Sequence, residues 1–216
     1  MKNLKKALEF YLKISSNSTL ICIGMIFLAL GPAMLLSIDE RDQILYVLPI
    51  SLVPKIGILF MLLQKTLHFS KSKACVSLPF SKELYTIIPT VVSASFTLIY
   101  DITLIILHIT FKPQIPVSNF IVMSALGSFV IFLMHSTIRK PVLHSVYSIA
   151  WIIVIGSTTF SNLHMNLPLP NLSLGASIIT GIMIYIAGIG ATILIQRIWW
   201  KKCNHIFDYN SVNTQF

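Results

Sequence analysis

The sequence predicts an all-α membrane protein with six transmembrane helices, both termini in the cytoplasm, and a basic amphipathic interfacial helix ahead of the first span. Two observations lead to this prediction. Hydrophobic residues make up 55% of the chain and charged residues only 11%, whereas a soluble domain is about 25% charged. The charges stand in short clusters between apolar runs, as topology signals do, and this argues against nucleic acid as a partner despite the net charge of +9.

The interfacial helix is predicted over residues 1–17. Its apolar residues recur at spacings of three and four, and lysines occupy most of the remaining positions. A basic amphipathic segment before a membrane span is typical of a helix lying on the cytoplasmic membrane surface. The apolar side consists of Leu4, Ala7, Leu8, Tyr11 and Leu12.

The distribution of Lys and Arg sets the topology, because cytoplasmic loops collect these residues. Segments proposed to lie inside hold 13 of the 16 Lys and Arg, whereas the outside loops hold only Arg41 and Lys112. Residues 1–216 are therefore expected to form a single transmembrane domain. Its spans lie near 19–37, 44–63, 86–110, 117–134, 143–160 and 173–196, and 197–216 form a cytoplasmic tail.

The longest polar interruption runs from Gln64 to Tyr85 and separates the second span from the third. It carries Lys65, Lys71, Lys73 and Lys82. This loop is therefore expected inside, and it fixes the orientation of the spans on either side.

Two charged residues fall within predicted spans, Lys55 in the second and Asp101 in the third. Such a charge costs roughly 2.5–3.5 kcal/mol at the centre of a span, so it is expected to face protein or water, and a lysine can also snorkel toward the interface. One interpretation pairs the two residues directly. At 1.5 Å per residue, however, their depths differ by roughly 10 Å, which favours the other interpretation, a hydrated Asp101 near the outer interface.

No arrangement typical of an enzyme, a metal site or a cofactor site occurs in the chain. His-Glu-x-x-His, Gly-x-Ser-x-Gly and phosphate-binding loop motifs are all missing, and the six histidines are scattered. The sequence therefore predicts neither catalytic nor metal-binding nor cofactor-binding residues. It contains no ATP site, so any energy for transport is expected to come from a partner.

One short segment resembles a known family. Ser77 to Glu83, with the sequence SLPFSKE, stands between the second and third spans. It resembles the cytoplasmic segment of type-2 ABC exporter membrane subunits, in which Leu-Pro, a small or apolar residue and Ser precede the third span. The acidic residue and glycine that many members carry ahead of Leu-Pro are missing from Ser70 to Ala74. The matching positions are Leu78, Pro79, Ser81, Lys82 and Glu83.

This resemblance implies a permease subunit of the bacterial cytoplasmic membrane. It would pair with a second permease subunit, identical or related, and cytoplasmic ABC ATPase subunits would dock on Leu78 to Glu83. A chain this small resembles exporters of a hydrophobic or amphipathic peptide, drug or lipid. Two alternatives stay open: a non-transporting accessory or immunity protein, and a small secondary carrier that uses Asp101 and Lys55. The substrate and the direction of transport are not determined by the sequence.

Overall fold

The computed structural model describes residues 2–13, 18–37, 50–71, 75, 78–111, 116–137, 141–160 and 172–202, which contain helices and no strand. The predicted loops 38–43 and 162–171, the first part of the second span (44–49) and the end of the tail (203–216) lie outside the described residues. The helices are α1 (Lys2–Lys13), α2 (Ser18–Ser37), α3 (Ile56–Lys71), α4 (Ser81–Thr86), α5 (Ile88–Phe111), α6 (Val117–Thr137), α7 (Pro141–Phe160) and α8 (Leu174–Lys202).

Four helical segments are long and apolar enough to cross a membrane. They contain 20, 31, 21 and 28 residues, and a transmembrane helix needs about 20. The segments are α2, α4 joined to α5, α6, and α8, and they coincide with the first, third, fourth and sixth predicted spans. Helix α7 coincides with the fifth.

The second predicted span is not a continuous helix. A helical stretch that ends at Leu52 is followed by a turn over Val53 to Lys55, and α3 begins only at Ile56. The turn is closed by short backbone bonds from Lys55 N to Leu52 O (3.1 Å) and from Ile56 N to Val53 O (3.2 Å). Pro54 explains the interruption, because proline has no N–H to donate and disfavours helical geometry in the residue before it.

Helix α5 lies at the centre of the bundle. It contacts α2, α3, α6 and α8, while α8 packs most extensively on α6 and α2 on α3. Helices α2 and α3 cross closely at Gly24 and Gly57, where neither residue has a side chain. A Cβ at Gly24 would lie only 2.7 Å from the carbonyl oxygen of Gly57. Tyr100 fastens α5 to α2 by donating to the carbonyl of Leu28 at 2.8 Å, so the central helix is held by polar as well as apolar contacts.

Helix α1 packs against the segment that joins α3 to α5. Ala7 and Tyr11 are fully buried in a cluster that also contains Cys75, Leu84 and Tyr85. The other members of the predicted apolar side, Leu4, Leu8 and Leu12, stay 36% to 57% exposed. The amphipathic side of α1 is thus divided between a face that contacts protein and a face that is left open.

Candidate functional site

A buried ion pair lies at the centre of the bundle. Lys55 Nζ is 2.6 Å from Asp101 Oδ1, and the two residues are only 0% and 6% exposed. Lys55 comes from the turn before α3 and Asp101 from the middle of α5. The expectation of a hydrated Asp101 near the outer interface is therefore not met. The prediction counted residues along a regular helix, whereas the chain turns at Val53 to Lys55 and the two side chains meet.

Two serines of α6 complete the hydrogen bonding of this pair. Ser124 Oγ donates to Asp101 Oδ1 at 2.6 Å, and Ser128 Oγ donates to Oδ2 at 2.6 Å. Lys55 Nζ donates to the Ser124 carbonyl at 2.7 Å and to Ser128 Oγ at 2.9 Å. The serines are four residues apart, so they lie on one face of the helix and meet the pair together.

This network of four residues holds opposite charges that satisfy each other. Lys55 is fully buried and Asp101 is only 6% exposed, and each has several hydrogen-bond partners, which is the condition under which a buried ion pair is tolerated. Loss of either charged partner would leave an uncompensated charge in the interior. The pair therefore ties three segments of the bundle, around Lys55, Asp101 and Ser124, into one unit.

The local sequence explains how Lys55 reaches α6. A Cβ at Gly127 would lie 3.2 Å from the Ser51 carbonyl oxygen, so glycine allows the segment before the turn to approach α6 closely. Ser51 Oγ donates to the Met123 carbonyl at 3.3 Å, which fixes that approach. The Pro54 turn then directs the lysine toward Asp101.

Ser124 and Ser128 are the site residues that sequence reasoning did not assign to the ion pair. Their small size, with Ala125 and Gly127, indicates close helix packing, and nothing in their spacing alone distinguishes packing from ligation. The sequence did contain one signal for their role, which is the polarity of their hydroxyl groups. An intramembrane charge takes polar partners, and a serine pair four residues apart in a neighbouring span is a candidate for that role.

A cleft opens beside the ion pair, between α5, α6 and α8. Its volume is about 520 Å³, and Asp101 and Ser124 form part of its lining. The remaining walls are almost entirely aliphatic. They consist of Leu98, Ile102, Ile105, Ile121, Ala125, Ile178, Gly181, Ile182 and Ile186, with the ring of Tyr185.

The segment that carries the family resemblance lies at one end of the bundle. Pro79 and Lys82 are exposed, whereas Leu78, Ser81 and Glu83 are half-buried, and Ser77 lies outside the described residues. Asp101 follows Ser81 by 20 residues along α4 and α5, which corresponds to about 30 Å of helix. The segment from Leu78 to Glu83 and the ion pair of Lys55 and Asp101 are therefore two separate sites.

Side chains of two helices, α8 and α1, hold α4. Leu84 and Tyr85 are fully buried, and the Tyr85 ring lies 5.3 Å from that of Trp200 on α8. In the orientation that satisfies its hydrogen bonds, the Gln196 amide nitrogen donates to the carbonyls of Tyr85 (3.1 Å) and Thr86 (2.6 Å). Helix α4 is thus fixed to α8 by polar and aromatic contacts as well as to α1 by apolar ones.

Lys65 adds a polar connection between α3 and α1. Its Nζ lies 3.5 Å from the Tyr11 carbonyl oxygen and 5.5 Å from the centre of the Tyr11 ring, where a cation is attracted by the aromatic face. Partial burial lowers the pKa of the Lys65 ammonium group. The contact helps to position α1 beside α4.

The described residues thus form an all-helical bundle with four helices able to cross a membrane and a buried ion pair between them. Within this part of the chain, no group of three or more His, Cys, Asp or Glu side chains is placed to hold a metal ion. Comparison of the chain with protein-family models, with curated proteins and with solved structures finds no significant match.

Proposed function

We propose that this chain is the permease subunit of an ATP-driven exporter of the type-2 ABC class, in the bacterial cytoplasmic membrane. Its six spans would place both termini inside. A second permease subunit would complete the pathway, and separate ABC ATPase subunits would hydrolyse ATP. The substrate would be a hydrophobic or amphipathic peptide, drug or lipid.

The observation that carries this proposal is the pattern of buried and exposed side chains in the segment from Leu78 to Thr86. Leu78 packs against the core cluster at this end of the bundle, while Pro79 and Lys82 face outward. The segment therefore offers an exposed docking edge on a base that is anchored in the protein. This is the arrangement that a contact between a permease and an ATPase requires.

The same segment is mechanically joined to the central helix. The backbone bonds from Ile87 N to Glu83 O (3.0 Å) and from Val91 N to Ile87 O (2.9 Å) carry the helical pattern across the junction of α4 and α5. A displacement of α4 by a docked ATPase would therefore be passed to α5. Because α5 bears Asp101, the displacement would reach the ion-pair network and the cleft beside it.

The test is purification in mild detergent from native membranes, followed by mass spectrometry of the proteins that co-elute in stoichiometric amounts. We expect an ATPase with a phosphate-binding loop. Joint replacement of the exposed pair Pro79→Ala and Lys82→Ala should remove the ATPase and leave the amount of chain in the membrane unchanged. Lys5→Ala, an exposed lysine of α1, is the matched control and should retain the ATPase.

Two results would contradict this proposal. One is elution of the chain without any ATPase under conditions that preserve other membrane complexes. The other is equal recovery of the ATPase from the double variant and from Lys5→Ala.

A second candidate function, a small secondary carrier, is favoured by one observation. Asp101 belongs both to the ion pair and to the lining of the cleft, and an ionisable group at such a place is a candidate for a coupling site. A carrier would lose ion-coupled uptake in proteoliposomes when Asp101→Asn and Lys55→Met are combined. An ABC subunit with the same changes would keep ATP-dependent transport if it stays folded.

A further inference from the structure

The cleft between α5, α6 and α8 has the size of a ligand site. Its volume of about 520 Å³ falls within the range of roughly 300–1,000 Å³ that holds small molecules. Its outer walls remain accessible, since five of the aliphatic residues that line it are between 43% and 60% exposed. These residues are Leu98, Ile102, Ile178, Ile182 and Ile186.

Aliphatic walls do not by themselves select a guest inside a membrane. Lipid chains are as apolar as isoleucine, so replacing one by another hydrocarbon gains little. Discrimination must come from the polar residues of the lining, and Asp101 and Ser124 are the two that belong to the ion-pair network. The chemistry of these groups therefore identifies the ligand.

The polar part of the lining offers hydrogen-bond acceptors rather than donors. Asp101 Oδ1 is within hydrogen-bond distance of Lys55 and Ser124, while Oδ2 accepts from Ser128 alone. A carboxylate oxygen has about two acceptor positions, so Oδ2 retains one. The Tyr185 hydroxyl already donates to the Ala94 carbonyl, so its proton is not available to a ligand. A matching ligand must bring a donor.

The charge of the site excludes a cationic donor. Lys55 neutralises Asp101 at 2.6 Å, so an incoming ammonium group would meet a site with no net charge. Moving such a group to the centre of a bilayer is unfavourable, and here no free anion offsets that cost. A hydroxyl group can supply the hydrogen bond without carrying a charge.

We infer that the cleft binds a neutral aliphatic alcohol, whose hydroxyl donates to Asp101 and whose hydrocarbon lies against the isoleucines of α5, α6 and α8. The inference does not rest on the proposed function, because it uses only the shape, charge and hydrogen bonding of the cleft. A permease, a carrier or an accessory protein could each contain such a site.

Photolabelling tests this inference. The 216-residue chain, reconstituted in phosphatidylcholine vesicles, is irradiated with the photoreactive alcohol 3-azioctanol, and the labelled residues are located by mass spectrometry. Saturable labelling should concentrate on the cleft residues, and the matched hydrocarbon 3-azioctane should show no saturable component. Labelling by both probes in proportion to residue exposure, including Ile149 and Ile153 of α7, would overturn the inference.

A pair of adjacent substitutions makes the test specific. Ile182→Trp places a large ring in the cleft and should reduce the saturable labelling at least tenfold. Met183→Trp changes a residue of the same helix that is 65% exposed and does not line the cleft, so labelling should persist. Both residues are surface positions, and a thermal melt will show whether the variants are folded. Equal labelling in the two folded variants would refute the assignment.

Competition identifies the charge preference and the source of the alcohol. We expect 1-octanol to displace the probe and octylammonium to be at least tenfold weaker. Displacement by dioleoylglycerol in the vesicles as well would support a lipid alcohol as the natural ligand, whereas displacement by 1-octanol alone would support a free one. Displacement by neither alcohol, or equal displacement by octylammonium, would overturn the inference.

Discussion

At the scale of single residues, the organisation of this protein depends on how two charges are accommodated in an apolar interior. Lys55 and Asp101 satisfy each other, and the hydroxyl groups of Ser124 and Ser128 fill most of the remaining hydrogen-bonding positions. Removing one partner of a buried ion pair destabilises a protein more than replacing both partners by apolar residues, because the remaining partner keeps an uncompensated charge. The pair is therefore expected to respond very differently to single and to double replacement.

The single replacement Asp101→Asn should destabilise the protein by about 3–5 kcal/mol, because it leaves Lys55 buried without a counter-ion. The double replacement Asp101→Leu with Lys55→Met should recover most of that loss, since no charge remains. Thermal unfolding in detergent, followed by fluorescence-detected size-exclusion chromatography, measures the difference. Thr103→Val, an exposed residue of the same helix, is the control and should leave the melting temperature unchanged. A double variant no more stable than Asp101→Asn would contradict the coupling.

At the scale of helices, two contacts set the arrangement of the bundle. The α2–α3 crossing depends on glycines that leave no room for a side chain. The contact of α1 with α4 depends on a compact cluster around Ala7, Tyr11 and Leu84. The first contact lies within the apolar part of the chain, and the second lies at the end that bears the proposed docking segment.

Gly57→Ala should destabilise the protein by about 1–3 kcal/mol, because the added methyl group would overlap the backbone of Gly24. The matched control is Gly190→Ala, where no atom lies within 4 Å of the added Cβ. That change should be neutral or stabilising by up to about 1 kcal/mol, since alanine favours a helix. Melting temperatures in detergent compare the two. An equal loss in both variants would show that the crossing is not the cause.

Cys75 reports on whether α1 stays in place, because it is only 5% exposed and belongs to the cluster that α1 covers. With Cys22 and Cys203 replaced by serine, Cys75 should react slowly with N-ethylmaleimide. Ala7→Asn buries an amide group at a cost of roughly 1–3 kcal/mol, so opening should become about tenfold more frequent and the reaction correspondingly faster. Lys6→Asn, at an exposed position of α1, should keep the slow rate; faster modification there would contradict the assignment.

At the scale of the whole molecule, charge and hydrophobicity together determine how the chain lies in a membrane. Four helices meet the length and apolarity needed to cross it, and Lys and Arg concentrate in alternate connecting segments. Under the positive-inside rule this distribution predicts six crossings with both ends in the cytoplasm. The prediction concerns the chain as a whole, since each loop constrains the next.

Reporter fusions along the chain test this topology. Alkaline phosphatase should be active when fused after Phe111 or Asn171 and inactive after Lys140 or Lys202, because the basic segments are expected to stay inside. Green fluorescent protein fused at the same positions should give the complementary pattern. Active phosphatase after Lys202 would mean an odd number of crossings from an inside N-terminus and would contradict the six-span topology.

The sequence by itself determined the helical class and the position of most helices. A 3.6-residue periodicity and basic composition located α1, and long apolar runs located α2, α5, α6, α7 and α8 to within a few residues. These features are local, because apolarity and length act within one segment. The sequence also singled out Lys55, Asp101 and the segment from Leu78 to Glu83 as chemically unusual.

Only the tertiary structure decided how those residues combine. Lys55 lies in the turn at Pro54 rather than in a regular helix, and the close approach to α6 at Gly127 brings Ser124 and Ser128 to the ion pair. The cleft likewise exists only because α5, α6 and α8 meet at one place. Such pairings depend on contacts between residues that are 23 to 73 positions apart. The periodicity of a single segment carries no information about the free energy of these contacts.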